Sequence, residues 1–417
     1  MNSLRLLSEE DPLYVESHPP PGFLRRITPG IVAGAADLDP AAVLTATVAG
    51  ASFGYSIGWV VFLAVPILWA VFNVSARIGH QGDRGLVELI RRGYGRSAGW
   101  VMAAAMISVN TMMVIADLVA VSDAFSLILQ QKRVYFLPAV AFAVWYLLVL
   151  GDYRKSNRAL IWFAIFQAAY LAAAVMSVQS WPGLAKGLFL PHITGNPAYL
   201  LGVVAVFGSL LTPDVLVWQA SSRRDRKALG GGFHAEESKA GTLVATAISL
   251  SAIIAASTLH VSDPAHMSTL DAAMALRPLG SLAPVIFSLG IIGSGLIALP
   301  ILVASMCFSI AEAADWPAGL SRPAWEARRF YVLISASVFI AAIVDFGHIN
   351  TVSVLYWSQI LAGVLTIPIL WFILRLGNNG RLMSRRNSVL ENICLGGAVA
   401  GMVVANAIYL WMQFAGS

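Results

Sequence analysis

Asp37-Leu38-Asp39-Pro40 interrupts an otherwise apolar run from Ile27 to Gly50. A membrane helix is a poor place for two carboxylates and a proline. A charged side chain at the bilayer centre costs roughly 2.5–3.5 kcal/mol on insertion scales. Proline removes a backbone hydrogen bond and obstructs the turn before it. A second interruption of the same kind stands at Thr212-Pro213-Asp214. Two interrupted hydrophobic segments far apart in one chain point to the binding site of a secondary transporter.

The rest of the chain has the composition of a membrane protein. Its 417 residues are 58% hydrophobic with a mean hydropathy of +0.74. Only 12% are charged, against roughly 25% in soluble domains. That length holds about eleven spans of roughly 20 residues with short connections. Hydropathy and breaker residues place them at 27–50, 57–77, 99–129, 134–151, 158–180, 197–220, 240–260, 281–312, 330–346, 351–376 and 391–414. The third and eighth are long enough to tilt or to extend into water. Residues 1–26 read as a polar cytoplasmic tail rather than a signal peptide, with Glu9, Glu10, Asp11 and a proline run. Cys307 and Cys394 fall in apolar runs, which excludes a disulfide framework and a cysteine metal site.

With the N-terminus in the cytoplasm, 23 of the 27 basic residues fall in cytoplasmic segments, leaving Lys132, Arg133, Lys186 and Arg277 on the other side. This is a strong positive-inside pattern, so the net charge of +5 reflects topology and not a nucleic-acid partner. The partner it implies is the lipid bilayer of a bacterial-type inner membrane, with the C-terminus outside. The longest polar connection, Ser221 to Lys239, carries a triple glycine and reads as a flexible cytoplasmic loop.

The two interruptions lie in the first and sixth spans. Five spans separate them, an odd number, so two five-span units at 27–180 and 197–376 run in opposite orientations. The segment 391–414 is an additional span. Unwinding at each break frees carbonyl groups that lipid cannot satisfy, but which can face a cavity and bind a cation. Small residues flank both breaks: Ala35, Ala36, Ala41 and Ala42 at one, Gly208 and Ser209 at the other. Carboxylate and carbonyl oxygens together suit a hard divalent cation. The alternative is two ordinary kinked helices with one structural aspartate each.

Several segments resemble the NRAMP family of divalent metal transporters. Asp39-Pro40-Ala41-Ala42 is similar to that family's first-helix Asp-Pro-Gly-Asn, and Ala49-Gly50-Ala51-Ser52-Phe53-Gly54-Tyr55 follows as in the family. Ser75-Ala76-Arg77-Ile78-Gly79 resembles the close of the second helix, and Leu211-Thr212-Pro213-Asp214 the sixth-helix Val-Met-Pro-His. Ser358-Gln359 and Arg381-Leu382-Met383 are similar to the tenth-helix motif and its sequel. The segments at Trp218, Leu289 and Trp316 look like a divergent bacterial group with an Asp-x-Asp-Pro first-helix motif.

The resemblance implies an all-α polytopic membrane protein with a LeuT-like 5+5 inverted repeat plus one span. It also implies a ligand set: the Asp39 carboxylate, the carbonyls of Ala36 and Ser209, and Thr212 in place of a methionine. Ala42 replaces an asparagine and offers no side-chain oxygen. Thioethers select soft metals, so a hydroxyl at 212 weakens discrimination against magnesium. Asp117 matches the third-helix aspartate, but the glutamate expected three positions later is Ala120. Asp214 replaces the family histidine; it is a proton shuttle, a fixed anion or a structural group.

Asp37 lies two residues before Asp39, roughly 200° around a regular helix, so only an unwound segment aims both at one site. It joins the ion or its vestibule, or else binds backbone donors. Gln359 approaches the ion in one conformation or makes a helix–helix hydrogen bond. Asp123, Asp152, Glu312 and Asp345 fall toward span ends and read as interface residues. His192, His260, His266 and His348 lack zinc-site spacing. The expected function is a secondary transporter that imports divalent metal of the manganese, magnesium or iron class by alternating access. The runner-up is a proton- or sodium-coupled transporter of a small organic substrate. No Ser-His or Cys-His pairing, HExxH motif or cofactor fingerprint occurs, so neither an enzyme nor a resident cofactor is expected.

Overall fold

The computed structural model describes residues 38–82, 84–150, 165–191, 193–227, 235–259, 267–320, 325–344 and 350–415. Ala36 and Asp37 lie outside the described residues, as do Asp152, Asp345 and the four histidines at 192, 260, 266 and 348.

Helices follow one another along the chain, with no strand among the described residues: α1 (Pro40–Phe53), α2 (Gly58–Gly82), α3 (Leu86–Tyr94), α4 (Arg96–Leu129) and α5 (Leu137–Val149). A 3-10 turn at Ile165–Ala168 leads into α6 (Ala169–Ser177), followed by α7 (Trp181–Phe189). The second half holds α8 (Pro197–Leu210), α9 (Pro213–Lys227), α10 (Ala235–Ala256), α11 (Thr269–Ala273) and α12 (Ala283–Ala314). It ends with α13 (Arg328–Val344), α14 (Thr351–Gly377) and α15 (Val389–Ala415).

Among the described residues, seven helical stretches are long and apolar enough to cross a membrane, and two shorter apolar helices lie at 133–149 and 166–177. The long third and eighth spans appear as α4, 34 residues, and α12, 32 residues. At 1.5 Å per residue each is about 50 Å long, well beyond a hydrocarbon core of roughly 30 Å. Large apolar side chains such as Phe62, Val101, Val175, Ile343, Ile393 and Trp411 cover the outside. That surface suits a lipid solvent, not water. The connection expected as a flexible loop from Ser221 is shorter than the sequence suggested. Helix α9 runs on to Lys227 and α10 starts at Ala235. Arginine, lysine and alanine are good helix formers, so the helices extend toward the glycine triplet.

The packing obeys the inverted repeat. Helix α4 packs along α12, and α5 against α13; these are spans three with eight and four with nine, each pair mapped onto itself by the repeat. Helix α1 packs on α10 while α9 packs on α2, and these two pairs exchange. Both contacts are made through a glycine. A Cβ on Gly50 would fall onto the Ile253 backbone, and one on Gly79 onto the Ala220 backbone. Close backbone approach of this kind is how membrane helices gain contact where lipid supplies no hydrophobic drive. Gly79→Ala is therefore expected to push α2 off α9 at a cost of about 1–3 kcal/mol. The check is the thermal midpoint of the purified protein in detergent; an unchanged midpoint would mean that the two helices are not in contact there.

The motif Ser75-Ala76-Arg77-Ile78-Gly79 thus has a packing explanation. Ser75 Oγ donates to the Leu216 carbonyl at 2.6 Å, tying α2 to α9 beside the Gly79 contact. Arg77 reaches the other way to α15. Its Nη1 and Nη2 donate to Glu391 Oε1 and Oε2 at 2.8 and 3.2 Å, and Nη2 also meets Asn387 Oδ1 at 2.6 Å. Asn73 Nδ2 donates to the same Glu391 Oε1 at 2.6 Å.

Candidate functional site

Both breaks are set by a proline that opens a half-helix. Pro40 stands first in α1, where its missing N–H costs nothing. Asp39 is the N-cap, its Oδ1 accepting the Ala42 N–H at 2.6 Å. In the second half α8 ends at Leu210, Leu211 and Thr212 are non-helical, and Pro213 opens α9. A helical carbonyl is bonded by the N–H four residues on. The residues four on from Ala36 and Ser209 are Pro40 and Pro213, which have none. Pro213 therefore leaves the Ser209 carbonyl, in the last turn of α8, without its helical donor.

The carbonyls next to the breaks are held by side chains from elsewhere. Gln167, in the 3-10 turn before α6, donates Nε2 to the Leu38 carbonyl at 3.0 Å. Thr366 of α14 donates Oγ1 to the Leu211 carbonyl at 3.1 Å. Leu38 and Leu211 each stand two residues before their proline, and Gln167 and Thr366 belong to spans five and ten. The repeat relates the two clamps.

Three carboxylates converge here. Asp39, Asp117 and Asp214 are 3%, 0% and 4% exposed, so the site is closed to solvent. Asp39 and Asp214 sit at the starts of the two half-helices, α1 and α9, where backbone N–H groups and the helix dipole favour an anion. Asp117 comes across from α4. Its carboxyl feels the charges of both Asp39 and Asp214 and points toward the Ala41 N–H, without making a hydrogen bond of normal geometry. The Thr212 hydroxyl and the N–H groups of Asp214 and Val215 face the Asp214 carboxylate. Neither oxygen of Asp117 nor Oδ1 of Asp214 has a hydrogen-bond partner among the described residues.

The other expected site residues divide clearly. Ser209 and Thr212 are buried at the second break, and the Ser209 hydroxyl donates back to the Val206 carbonyl at 2.9 Å. Gln359 is buried on α14 where that helix meets Gly208 of α8, and both atoms of its amide lack a partner among the described residues. The helix–helix hydrogen bond weighed for it is not made there. Asn110 of α4, by contrast, donates to the Leu302 carbonyl at 2.9 Å and to Ser305 at 2.8 Å, packing α4 on α12. Among the described residues, no three His, Cys, Asp or Glu side chains come within reach of one metal ion. A cation at the breaks therefore needs carbonyl, hydroxyl or amide oxygens as well as carboxylates.

Two acidic residues read as interface groups turn out to be tethers at opposite ends of α4. Before its N-terminus, Glu312 of α12 accepts the Val87 and Glu88 N–H groups at the start of α3 at 3.1 and 3.3 Å, and the Ser221 hydroxyl of α9 at 3.0 Å. Near its C-terminus, Asp123 accepts the Thr351 hydroxyl of α14 and, at 3.1 Å, the Thr269 hydroxyl of α11. Spans three and eight exchange under the repeat, so these tethers are counterparts.

A family model described as Nramp, natural resistance-associated macrophage protein-like, matches residues 30–412. The chain belongs to the Nramp family. Nramp proteins are metal transporters, not enzymes. Among curated relatives, the divalent metal cation transporter MntH of Burkholderia ambifaria is 25% identical over 404 residues, 93% of this chain and 89% of that protein. MntH of Pectobacterium carotovorum is 27% identical over 283 residues, 64% of this chain and 67% of the relative. Among solved structures, a mutant of the Eremococcus coleocola manganese transporter superposes with a TM-score of 0.72 at 15% identity, covering 95% of this chain and 90% of that one. MhsT in complex with L-phenylalanine gives 0.61 at 12% identity, covering 92% and 98%. These likenesses fix a LeuT-like, all-α membrane fold.

Proposed function

We propose that this chain is a secondary transporter that imports divalent metal ions of the manganese, magnesium or iron class by alternating access. The ion binds between the broken helices, with the N-terminus in the cytoplasm of a bacterial-type cell. One observation carries the reading: three buried carboxylates, Asp39, Asp117 and Asp214, lie around the two helix breaks near enough to feel one another's charge. Like charges crowded in a low-dielectric space call for positive charge among them, and a divalent cation supplies it compactly. The names of the MntH relatives and of the manganese transporter support the same reading.

The ligands proposed are the Asp39 carboxylate, the Ala36 and Ser209 carbonyls, and Thr212, with Asp37 as a second carboxylate. Asp214, Asp117 and Gln359 lie along the ion or coupling path. All these donors are oxygens, the Gln359 amide included, since its nitrogen only donates hydrogen bonds. Oxygen-only sites suit magnesium and manganese, whereas a thioether favours softer ions.

Uptake into proteoliposomes tests this: manganese or magnesium is expected to enter, and amino acids are not. Uptake of an amino acid without metal would replace this reading with the organic-substrate alternative. Thr212→Met is expected to raise cadmium affinity about tenfold relative to magnesium, on the preference of soft ions for sulfur. Titration calorimetry with both ions on the wild type and the variant checks it, and an unchanged ratio would remove Thr212 from the ligand set.

A further inference from the structure

Gln167 sits beside the first break with one half of its amide committed and the other half idle. It is 2% exposed, so bulk water does not reach it. Its Nε2 is bound to the Leu38 carbonyl at 3.0 Å, and because a carbonyl only accepts, the nitrogen must face Leu38. Its Oε1 is buried and has no hydrogen-bond partner among the described residues. An unmet buried acceptor of this kind is costly unless something satisfies it. Anchoring by Nε2 fixes the amide within one residue of Asp39. The symmetry of the fold singles the residue out further. Its counterpart clamp, Thr366 on Leu211, is a hydroxyl whose single proton is shared between the Leu211 carbonyl and its own helix at Ala362 O, 2.7 Å away. The span-five clamp differs in bringing a second polar atom, an oxygen separate from the donor that holds the break.

The ligand set around Asp39 lacks such an oxygen. Ala42 has no side-chain ligand atom, so the first break supplies carboxylates and carbonyls alone. A neutral amide oxygen adds a hard ligand without adding to the negative charge of Asp39, Asp117 and Asp214. We propose that Gln167 is a further ion-site residue: Nε2 holds the unwound backbone at Leu38, and Oε1 faces the bound divalent cation, directly or through one of its waters. This rests on the proposed cation site at the two breaks. It makes the fifth span, which contributes no charged residue there, part of the selectivity apparatus.

The test is titration calorimetry of the purified full-length protein with manganese and with magnesium. Gln167→Met keeps the length and removes both polar ends. Gln167→Glu keeps an oxygen but loses the N–H donor. Gln167→Met is expected to weaken binding of both ions about tenfold, and Gln167→Glu to restore most of it; a role confined to holding Leu38 would leave both variants equally weak. That equality, or wild-type binding by Gln167→Met, would overturn the inference. Thermal midpoints taken without metal identify variants that fail to fold, and Gln167→Asn then serves as the milder shortening, expected to weaken binding while melting normally. Asp39→Ala is run beside them. If it binds metal like the wild type, the site reading itself fails; if it does not bind and Gln167→Met does, only the role of Gln167 falls.

Discussion

Asp39→Asn is expected to melt close to the wild type yet lose manganese and magnesium binding by on the order of a hundredfold or more. Removing even an indirect supporter of a metal site costs about 10–100-fold, and a charged direct ligand should cost at least that. Asp39 has two jobs, and this substitution separates them. As N-cap of α1 it accepts the Ala42 N–H, a contact which asparagine reproduces nearly as well. As an anion it supplies charge, which asparagine cannot. Asp39→Ala removes both and is expected to lose about 1 kcal/mol of stability in addition. Calorimetric titration together with thermal melting in detergent checks the pair. Wild-type affinity in Asp39→Asn would sink the assignment of this carboxylate to the ion.

The largest effect on stability is expected at Glu391. Its side chain and that of Arg77 are 2% and 3% exposed, and they meet as a two-pronged pair between α2 and α15. The Ser388 N–H and Asn73 complete the bonding of the carboxylate at 2.7 and 2.6 Å. Glu391→Ala strands a guanidinium in a dry space, and removing one partner of such a pair costs about 3–5 kcal/mol. The double variant Arg77→Met/Glu391→Leu is expected to regain most of that, because replacing both charges by apolar groups is often neutral or better. Melting curves of the single and double variants decide it. A double variant as unstable as Glu391→Ala would show that the attachment of α15 does not depend on matched charges.

Some of this was open to reading along the chain because the signals are local. Apolar runs mark spans whatever they pack against, and an Asp-Pro or Pro-Asp inside one has a cost that demands a use. The interval between the breaks gave opposite orientations by counting crossings. The resemblance marked Gly50 and Gly79 by motif, but the helices each would touch had no signature. Gln167 was silent for a similar reason: a single amide in an apolar span looks like a helix–helix contact, and nothing nearby in sequence reveals that Leu38, 129 positions away, needs its N–H. Thr366 resembles any threonine bonded to its own helix. Glu312 and Asp123 looked like ordinary end-of-span carboxylates, whereas their role depends on which helix starts lie across from them.

The sequence by itself therefore determined the membrane class, the two breaks and their inverted relation, since each follows from backbone chemistry and transfer cost within one segment. The carbonyls of Ala36 and Ser209 were named by the family resemblance alone. Only the tertiary structure decided what surrounds the breaks. Asp117, Asp214 and Asp39 lie on three different helices, and their convergence, like the clamps at Leu38 and Leu211, exists only once those helices pack. Segment chemistry is written in neighbouring residues; a site is made of distances between segments, and packing sets those.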